Sequence, residues 1–543
     1  MKFIHVIKQL ALKLKNKILL IVGCLLLFIS LVSLFVVGLP TVNGKTVNFT
    51  VGDNILKAKY YPVQNSEQAI LLCGGFSSDQ QMMRPLANLF VQNGISAMTF
   101  DYSGHGSSFG TVGFDNATNG QIANEISFAI NKLSTLTGLP QENIILLGHS
   151  MGGRSILELY TTANKPLCKE VILLSPQINY DNNTQSTAFT GINDADIFPW
   201  NTLSSKIAED IRITLIGSTG DDIVSVQSIT EIYNRLSDNG EKNNVSLFIV
   251  DMILHSYMPY STSVAKTLLD NIGINSSNVY SLSIMYFSLL LSAIGIFIIL
   301  AFLNKKLNKK TSKPTIELIN YKKFIVKKLL IFIPSLLIMV IIACLAVLIP
   351  FGAPIMSIAF IGGIAGYGII SLLTYRFGKM SGVVGKLKFN FKTKNKQHLL
   401  FSLVLFVLSL FVLDFILGSS LYNLLPFNMR LFWLFFAGIF MSIGFYVGDY
   451  ESAMLKHSSA SVLQIFAYNI VQYLLLFLMA IGYLAIGSFS GLSGLLQNLI
   501  LMYICIFTGN AITKLSNPIL GSLSAAFLFQ ATILTSTCLM VVF

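Results

Sequence analysis

The chain has 543 residues, of which 53% are hydrophobic and only 11% are charged. Soluble globular proteins contain about 25% charged residues, so this composition excludes an ordinary soluble protein and predicts a polytopic membrane protein. The net charge of +12 does not indicate nucleic-acid binding, because residues 41–278 contribute −8 (21 acidic, 13 basic) and the remainder +20 (4 acidic, 24 basic).

Apolar runs divide the chain into three predicted parts. Residues 1–40 form a basic N-terminus and a first anchor, residues 41–278 form a globular domain, and residues 279–543 form an all-α multi-span domain. We predict about nine spans in total. They cover residues 18–37, 279–303, 329–350, 354–375, 399–418, 431–448, 461–486, 492–513 and 518–540. The first run is longer than a signal-peptide core and no A-x-A-like site follows it, so we expect an uncleaved anchor.

The distribution of basic residues indicates the orientation of the chain. Of the 24 basic residues outside the globular domain, 21 lie in three short segments, residues 2–17, 305–328 and 376–396. Short loops rich in Lys and Arg remain in the cytoplasm. These segments share one side of a membrane only if the globular domain lies on the other side. We therefore expect a multi-pass plasma-membrane protein whose globular domain is extracytoplasmic.

The globular domain alternates predicted strands with predicted helices. A hairpin at residues 47–61 comes first. The apolar strands that follow cover residues 69–73, 95–101, 143–148, 170–174, 212–217 and 245–251, with amphipathic helical runs at 121–133 and 156–160 among them. This alternation predicts an α/β fold with a doubly wound, mostly parallel sheet. Active sites of such sheets collect at the carboxyl ends of the strands.

A turn that contains a serine follows the third apolar strand. Residues 148–153 read Gly-His-Ser-Met-Gly-Gly, a G-x-S-x-G pattern between a strand and a helical run. Glycines two positions before and after Ser150 permit a cramped turn, because a Cβ there would collide with neighbouring backbone. The turn lifts the Ser150 hydroxyl above the sheet and places the Met151 N–H at a helix N-terminus. This context predicts that Ser150 is a nucleophile and not part of a bare turn.

Three segments resemble the α/β-hydrolase superfamily: residues 72–76 (Leu-Cys-Gly-Gly-Phe), 101–108 (Asp-Tyr-Ser-Gly-His-Gly-Ser-Ser) and 148–153. The similarity is greatest to the branch of monoglyceride lipases, lysophospholipases and serine aminopeptidase-like hydrolases. It covers about residues 45–270 and none of the later apolar runs. The resemblance implies the α/β-hydrolase fold and a serine nucleophile. It does not identify the substrate, because these motifs serve esters, amides and thioesters alike.

The resemblance also implies an oxyanion hole. The family places its first donor just after the third strand, often in a His-Gly-aromatic sequence, and this chain has Gly-Gly-Phe there, with Gly74 in place of the histidine. The donor is a backbone N–H, so its side chain can vary. We assign the N–H groups of Phe76 and Met151 to the hole, with a simple glycine turn at 74–76 as the alternative.

The predicted acid follows the strand at 212–217. Residues 217–224 resemble the family pattern G-x-x-x-D-x-x-V, and the spacing to Val224 selects Asp221. The neighbouring Asp222 is the alternative, and either aspartate could instead cap the helix that follows.

Three histidines of the globular domain are candidates for the base. His149 adjoins the nucleophile, and its side chain should point away. His105 is expected to have a structural role in the loop beside the serine turn, although Ser103 replaces the family's usual arginine. His255 follows the last strand, which gives the order Ser, Asp, His that this fold requires; an ordinary surface histidine is the alternative. The predicted triad is Ser150, Asp221 and His255.

The predicted activity is cleavage of an ester, or of an amide or thioester, through an acyl-enzyme formed from a lipid-like or acyl substrate. The alternatives are an acyltransferase of the same fold, or a transporter or sensor whose outer domain has a subsidiary role.

A short aromatic lid at residues 175–211 could admit an acyl chain, or could be a small core under a loop. No cofactor, metal or nucleic acid is expected, and Cys73 and Cys168 are predicted to be free thiols.

Overall fold

The structure is a computed structural model that describes most of the chain. The described residues are 2–112, 120–161, 166–178, 207, 210–274, 279–307, 318, 320–347, 353–378, 396–425, 428–458, 460–534 and 540–541. The lid predicted at residues 175–211 therefore lies mainly outside the described residues.

An eight-stranded sheet forms the centre of the globular domain. Its strands, β1 to β8, are Lys45–Val51, Asn54–Tyr61, Ala69–Cys73, Ser96–Phe100, Ile144–His149, Glu170–Leu174, Arg212–Ser218 and Val245–Val250. The spatial order is β1-β2-β4-β3-β5-β6-β7-β8. The pairs β1/β2 and β2/β4 are antiparallel and every later pair is parallel. The predicted hairpin and the predicted mostly parallel sheet are confirmed, and the ends of the six apolar strands move by no more than one residue.

Helices cover both faces of this sheet. The first helix of the chain, α1, is Lys2–Gly38, and the domain then contains α2 to α6, which are Arg84–Gln92, Gln121–Thr137, Met151–Thr161, Val226–Leu236 and Thr262–Asn271. The core residues of α2 and α6 belong to one apolar cluster and those of α3, α4 and α5 to another. Each buried strand contributes side chains to both clusters, because successive side chains of a strand point to opposite faces of the sheet. On β3, for example, Ile70 and Leu72 join the first cluster and Leu71 joins the second.

The remainder of the described chain, residues 279–541, is mostly helical and is called the helical part below. Its helices, α7 to α15, are Tyr280–Leu307, Tyr321–Val347, Ile355–Arg376, Lys396–Gly418, Arg430–His457, Val462–Gln472, Leu474–Ala485, Phe489–Leu515 and Pro518–Phe529. The apolar cluster that contains α2 and α6 continues into this part through residues of α7, α10, α11 and α14. The globular domain and the helical part thus share one core.

Six helices in the described residues are long and apolar enough to cross a membrane, and the first of these segments is Lys17–Thr41. The count becomes seven if the pair Val462–Gln472 and Leu474–Ala485, bent by 78°, is one span. The predicted number of nine is therefore not confirmed. The predicted span 461–486 is broken at this bend, and the predicted last span corresponds to the shorter helix Pro518–Thr532.

The first helix packs against α7, the helix that follows the globular domain. Ser30 Oγ donates to Ser288 O at 2.6 Å and contacts the hydroxyl of Ser292. A Cβ on Gly295 would lie 2.9 Å from the carbonyl oxygen of Gly23, so glycine permits the two helices to approach closely. The two ends of the globular domain therefore enter neighbouring helices. Cys73 and Cys168 are buried free thiols, as predicted.

Candidate active site

Ser150 lies in the turn between β5 and α4, where the sequence predicts a cramped strand-to-helix connection. Its backbone dihedral φ is +54°, a value that residues other than glycine rarely adopt. A Cβ on Gly148 would lie 2.5 Å from Gly153 N, and one on Gly152 would lie 2.5 Å from Cys73 O. Both glycines are therefore required by close backbone contacts.

A continuous hydrogen-bonded chain joins the three residues of the predicted triad. His255 Nε2 lies 2.9 Å from Ser150 Oγ. His255 Nδ1 lies 2.9 Å and 3.1 Å from the two carboxylate oxygens of Asp221. The side chains of His255 and Asp221 are 5% and 0% exposed. The imidazole can thus accept a proton from the serine on one side while the carboxylate fixes its orientation on the other.

The environment of Asp221 favours its ionised form. Burial by itself raises the pKa of this carboxyl, but the hydrogen bond and the charge of His255, with a backbone hydrogen bond from Val224, hold the pKa below its ordinary value. Asp221 Oδ1 accepts from Ile223 N at 2.9 Å and from Val224 N at 2.7 Å. These backbone bonds also fix the direction of the carboxylate.

Asp222, the alternative acid, points to the helical part instead of the imidazole ring. Its Oδ2 accepts from Ser490 N at 2.7 Å and its Oδ1 accepts from Ser490 Oγ at 2.5 Å. Its closest interaction with His255 is with the backbone N–H, at 3.4 Å. Of the two neighbouring aspartates, the structure therefore brings Asp221 to the imidazole.

The other two histidines are neutral and buried. His105 Nε2 accepts from Ser77 N at 3.3 Å and His105 Nδ1 lies 3.0 Å from Ser103 O, so backbone groups occupy both ring nitrogens. Burial lowers the pKa of His105 to about 4. Burial, together with the charge of His255, lowers the pKa of His149 to about 3.

The prediction that His149 points away from the site is wrong. Its ring centroid lies 4.9 Å from that of His255, and its Nε2 lies 3.1 Å from His255 O. The reason is that the loop after β8 folds back over the end of β5, where His149 is the last strand residue. No sequence motif marks this contact, because His149 and His255 are separated by 106 positions.

The segment assigned to the oxyanion hole passes beside the serine. A Cβ on Gly75 would lie 3.3 Å from Ser150 Cβ and 3.2 Å from His149 Nδ1. Phe76 follows Gly75 directly, and Met151 begins the helix after the serine. The N–H groups of Phe76 and Met151 remain the predicted oxyanion-hole donors.

Among the described residues, no group of three or more His, Cys, Asp or Glu side chains could hold a metal ion.

Loops at the carboxyl ends of the strands contact the helical part. The hydrogen bonds between them include Asn423 N to Asp79 Oδ2 (2.6 Å), Gln81 Nε2 to Asn423 Oδ1 (2.8 Å), Arg84 Nη1 to Gly418 O (2.8 Å), Asn428 Nδ2 to Ser108 O (2.9 Å) and Tyr260 OH to Ser420 O (3.1 Å). With the bonds of Asp222, they involve loops that follow β3, β4, β7 and β8. The edge of the sheet that contains the candidate triad therefore faces the helical part.

A buried arginine takes part in this contact. Arg430, the first residue of α11, is 1% exposed and donates from Nη2 to Gly104 O at 2.5 Å. Burial raises the pKa of Asp101 to about 6 and that of Asp79 well above its ordinary value, while the charge of Arg430 opposes both shifts. A buried charge is tolerated when it is paired and hydrogen-bonded. Arg430 thus brings a positive charge from the helical part close to the buried carboxyl groups of Asp79 and Asp101.

Comparison with known proteins gives matches to the globular domain. Residues 64–228 match a family described as serine aminopeptidase, S33. Protein phosphatase methylesterase 1 of Candida albicans is 30% identical over 116 residues, which are 21% of this chain and 31% of that protein. The chain thus spans about a third of the length of this relative.

Solved structures of hydrolases are also similar to this chain. A soluble variant of monoglyceride lipase from Saccharomyces cerevisiae is 16% identical, covering 43% of this chain and 94% of its own, with a TM-score of 0.35. An esterase of Pyrococcus furiosus is 18% identical, covering 44% and 91%, with a TM-score of 0.33. The strand order and the family match together identify the globular domain as an α/β-hydrolase fold and support a hydrolase.

Proposed function

We propose that this protein is a membrane-embedded serine hydrolase that cleaves an acyl ester of a lipid-like substrate. The observation that supports this function most strongly is the hydrogen-bonded chain from Ser150 through His255 to Asp221. A structural serine does not require a strained backbone conformation, and φ at Ser150 is +54°. That strain is typical of a nucleophile held above the end of a sheet.

In the proposed reaction, His255 accepts the Ser150 proton as the hydroxyl oxygen attacks the substrate carbonyl carbon. Asp221 holds the imidazole in the required tautomer and stabilises the imidazolium that forms. The N–H groups of Phe76 and Met151 stabilise the oxyanion, and each such donor contributes about 3 kcal/mol to a reaction of this type. His255 then protonates the leaving alcohol, and water attacks the acyl-enzyme to release the acid and regenerate Ser150.

The contact between the triad edge and the helical part favours a substrate from a membrane. Strand-end loops that surround the candidate triad hydrogen-bond to residues between the long apolar helices, such as Asn423 and Asn428. An amphiphile held at a membrane surface can reach a site in this position without leaving that surface. The similar proteins include a methylesterase, a monoglyceride lipase and an esterase, which is compatible with an ester substrate.

Covalent labelling with a fluorophosphonate tests this function on the full-length protein in detergent. We expect the wild type to be labelled at Ser150 and Ser150→Ala to lose the label. Ser155→Ala is the matched control, because Ser155 is a buried serine of α4, the helix that begins directly after Ser150. Equal labelling of Ser150→Ala and the wild type would contradict the proposal.

A panel of esters with increasing acyl length tests the substrate class. Monoacylglycerols and p-nitrophenyl esters with acyl chains of two to sixteen carbons would be compared in mixed micelles. We expect turnover to rise with acyl length, since apolar burial stabilises bound substrate by about 0.8 kcal/mol per methylene. Turnover that is highest for acetyl esters would contradict a lipid-like substrate.

A further inference from the structure

The loop after β7 contains two neighbouring aspartates that bind different partners. Asp221 binds the ring of His255, whereas Asp222 binds Ser490 through both of its carboxylate oxygens. Asp222 Oδ1 also accepts from His255 N at 3.4 Å, and Ser256 N lies 3.5 Å from Ser490 Oγ. Ser490 therefore contacts both loops that supply the candidate acid and base.

The position of Ser490 makes it a suitable partner for a carboxylate. It is the second residue of the helix Phe489–Leu515, in the helical part. The first N–H groups of a helix have no partner within the helix, and the positive end of the helix dipole lies there. Ser490 is 5% exposed, so water competes weakly for these hydrogen bonds.

The two loops that Ser490 contacts follow neighbouring strands and are already joined close to the sheet, where Ile253 N donates to Ser218 Oγ at 2.8 Å and Met252 N donates to Thr219 Oγ1 at 2.9 Å. Asp221 follows β7 and His255 follows β8. A Cβ on Gly220 would lie 2.7 Å from Met252 C, so the loops approach each other closely only because this residue is glycine. The bonds of Asp222 to Ser490 and to the His255 N–H add a further connection farther from the sheet, next to the triad itself.

We propose that Ser490 is a positioning residue for the candidate active site, supplied by the helical part and acting through Asp222. This inference rests on the proposed hydrolase function. By holding Asp222, Ser490 fixes the distance between Asp221 and the His255 imidazole. The helical part then contributes directly to the rate of reaction at Ser150, in addition to any role as an anchor.

A purely structural role for Ser490 gives a different expectation. If the bonds to Asp222 only secure the helix Phe489–Leu515 to the globular domain, their loss lowers the thermal unfolding temperature and leaves the reactivity of the folded protein unchanged. If Ser490 positions the triad, the maximal rate of covalent labelling falls while the affinity for the reagent is retained. Separate measurement of these two constants distinguishes the roles.

The experiment uses the full-length protein in detergent and a fluorophosphonate over a range of concentrations. Ser490→Ala removes the hydroxyl donor, and we expect a fall of about tenfold in the maximal labelling rate, as for loss of one hydrogen bond to a charged group. Ser490→Thr retains the hydroxyl and should restore the rate. The matched control is Ser493→Ala, because within the described part of the chain Ser493 Oγ donates to Ser490 O of its own helix and to no residue of the globular domain. This control should label like the wild type.

A double-mutant cycle provides the second test. Asp222→Asn should also lower the maximal rate, and adding Ser490→Ala to it should cause little further loss if the two residues act as one connection. The positioning role would be overturned if the loss of maximal rate in the double variant equals the product of the two single losses. It would also be overturned if Ser490→Ala labels at the wild-type rate. A wild type that is not labelled at Ser150 would instead overturn the hydrolase function, and the inference with it.

Discussion

At the residue scale, Asp221 and Asp222 are adjacent in the sequence but bind different partners, His255 and Ser490. The sequence pattern selects Asp221 by its spacing to Val224, and the structure gives that spacing a physical reason. Asp221 Oδ1 accepts from both Ile223 N and Val224 N, which directs the carboxylate to His255. The carboxylate of Asp222 instead binds Ser490 of the helical part. The residue three positions after the acid matters because its backbone N–H holds the acid in place.

Replacement of each aspartate by asparagine tests this division. Asp221→Asn should lower ester turnover by roughly a thousandfold or more with little change in substrate affinity, because the uncharged amide neither fixes the tautomer of His255 nor stabilises its cation. Asp222→Asn should cost only about tenfold, since it weakens one connection to the loop. Measured kcat and KM on the same ester check both values. A greater loss in Asp222→Asn than in Asp221→Asn would contradict the assignment of the acid.

A pH prediction also belongs to single residues. The pKa of His105 is about 4 and that of His149 about 3, so both are neutral above pH 6 and neither contributes a titration there. The labelling rate of the wild type between pH 6 and pH 9 should therefore contain no contribution from the titration of these two histidines. His105→Asn should leave the shape of the profile between pH 6 and pH 9 unchanged. A profile whose midpoint moves in this variant would show that His105 takes part in the reaction.

At the element scale, the connection from β5 to α4 combines strain with close packing. The positive φ of Ser150 costs about 1–3 kcal/mol, and the structure around the turn compensates for it. Gly152 permits the first turn of α4 to pack on the carbonyl oxygens of Cys73 and Gly74, which begin the loop that contains Phe76. The nucleophile and the segment assigned to the oxyanion hole are therefore held at a fixed separation by one glycine.

Gly152→Ala tests the importance of that contact. The added Cβ would lie 2.5 Å from Cys73 O and 2.6 Å from Gly74 O, both backbone atoms, so the loop or the helix must shift. We expect a loss of about 1–3 kcal/mol in the free energy of unfolding and slower labelling of Ser150. Gly482→Ala is the control, because nothing lies within 4 Å of its added Cβ and alanine favours a helix. Unchanged stability and labelling in Gly152→Ala would contradict the proposed contact.

At the scale of the whole molecule, the sheet is oriented with its candidate active site towards the helical part. The apolar cluster on one face of the sheet continues into the long helices, and the hydrogen bonds of Asn423, Asn428 and Arg430 join the strand-end loops to them. Both connections, apolar and polar, fix the same orientation. If the long helices cross a membrane, the site lies close to its surface.

Reporter fusions test the side of the membrane on which the globular domain lies. The basic segments at 2–17, 305–328 and 376–396 predict a cytoplasmic N-terminus and an extracytoplasmic domain. A reporter that is active only outside the cytoplasm should be active after Asn278 and silent after Lys309. A cytoplasmic reporter at the same positions is the control and should give the opposite pattern. Activity after Lys309 with silence after Asn278 would reverse the predicted orientation.

The sequence by itself determined the features that depend on local pattern. The alternation of strands and helices predicted the parallel sheet, and the G-x-S-x-G and G-x-x-x-D-x-x-V patterns selected Ser150 and Asp221, because steric and backbone hydrogen-bonding requirements act within a few residues.

The tertiary structure decided the features that depend on contacts between distant segments. It placed His149 against His255 and joined Asp222 to Ser490, which is 268 positions away along the chain. Among the described residues it contains six or seven helices that could cross a membrane, and it shows that the predicted span 461–486 is broken by a bend, which hydropathy does not reveal. Packing between remote elements leaves no periodic signal in the sequence, so these contacts appear only once the chain is folded.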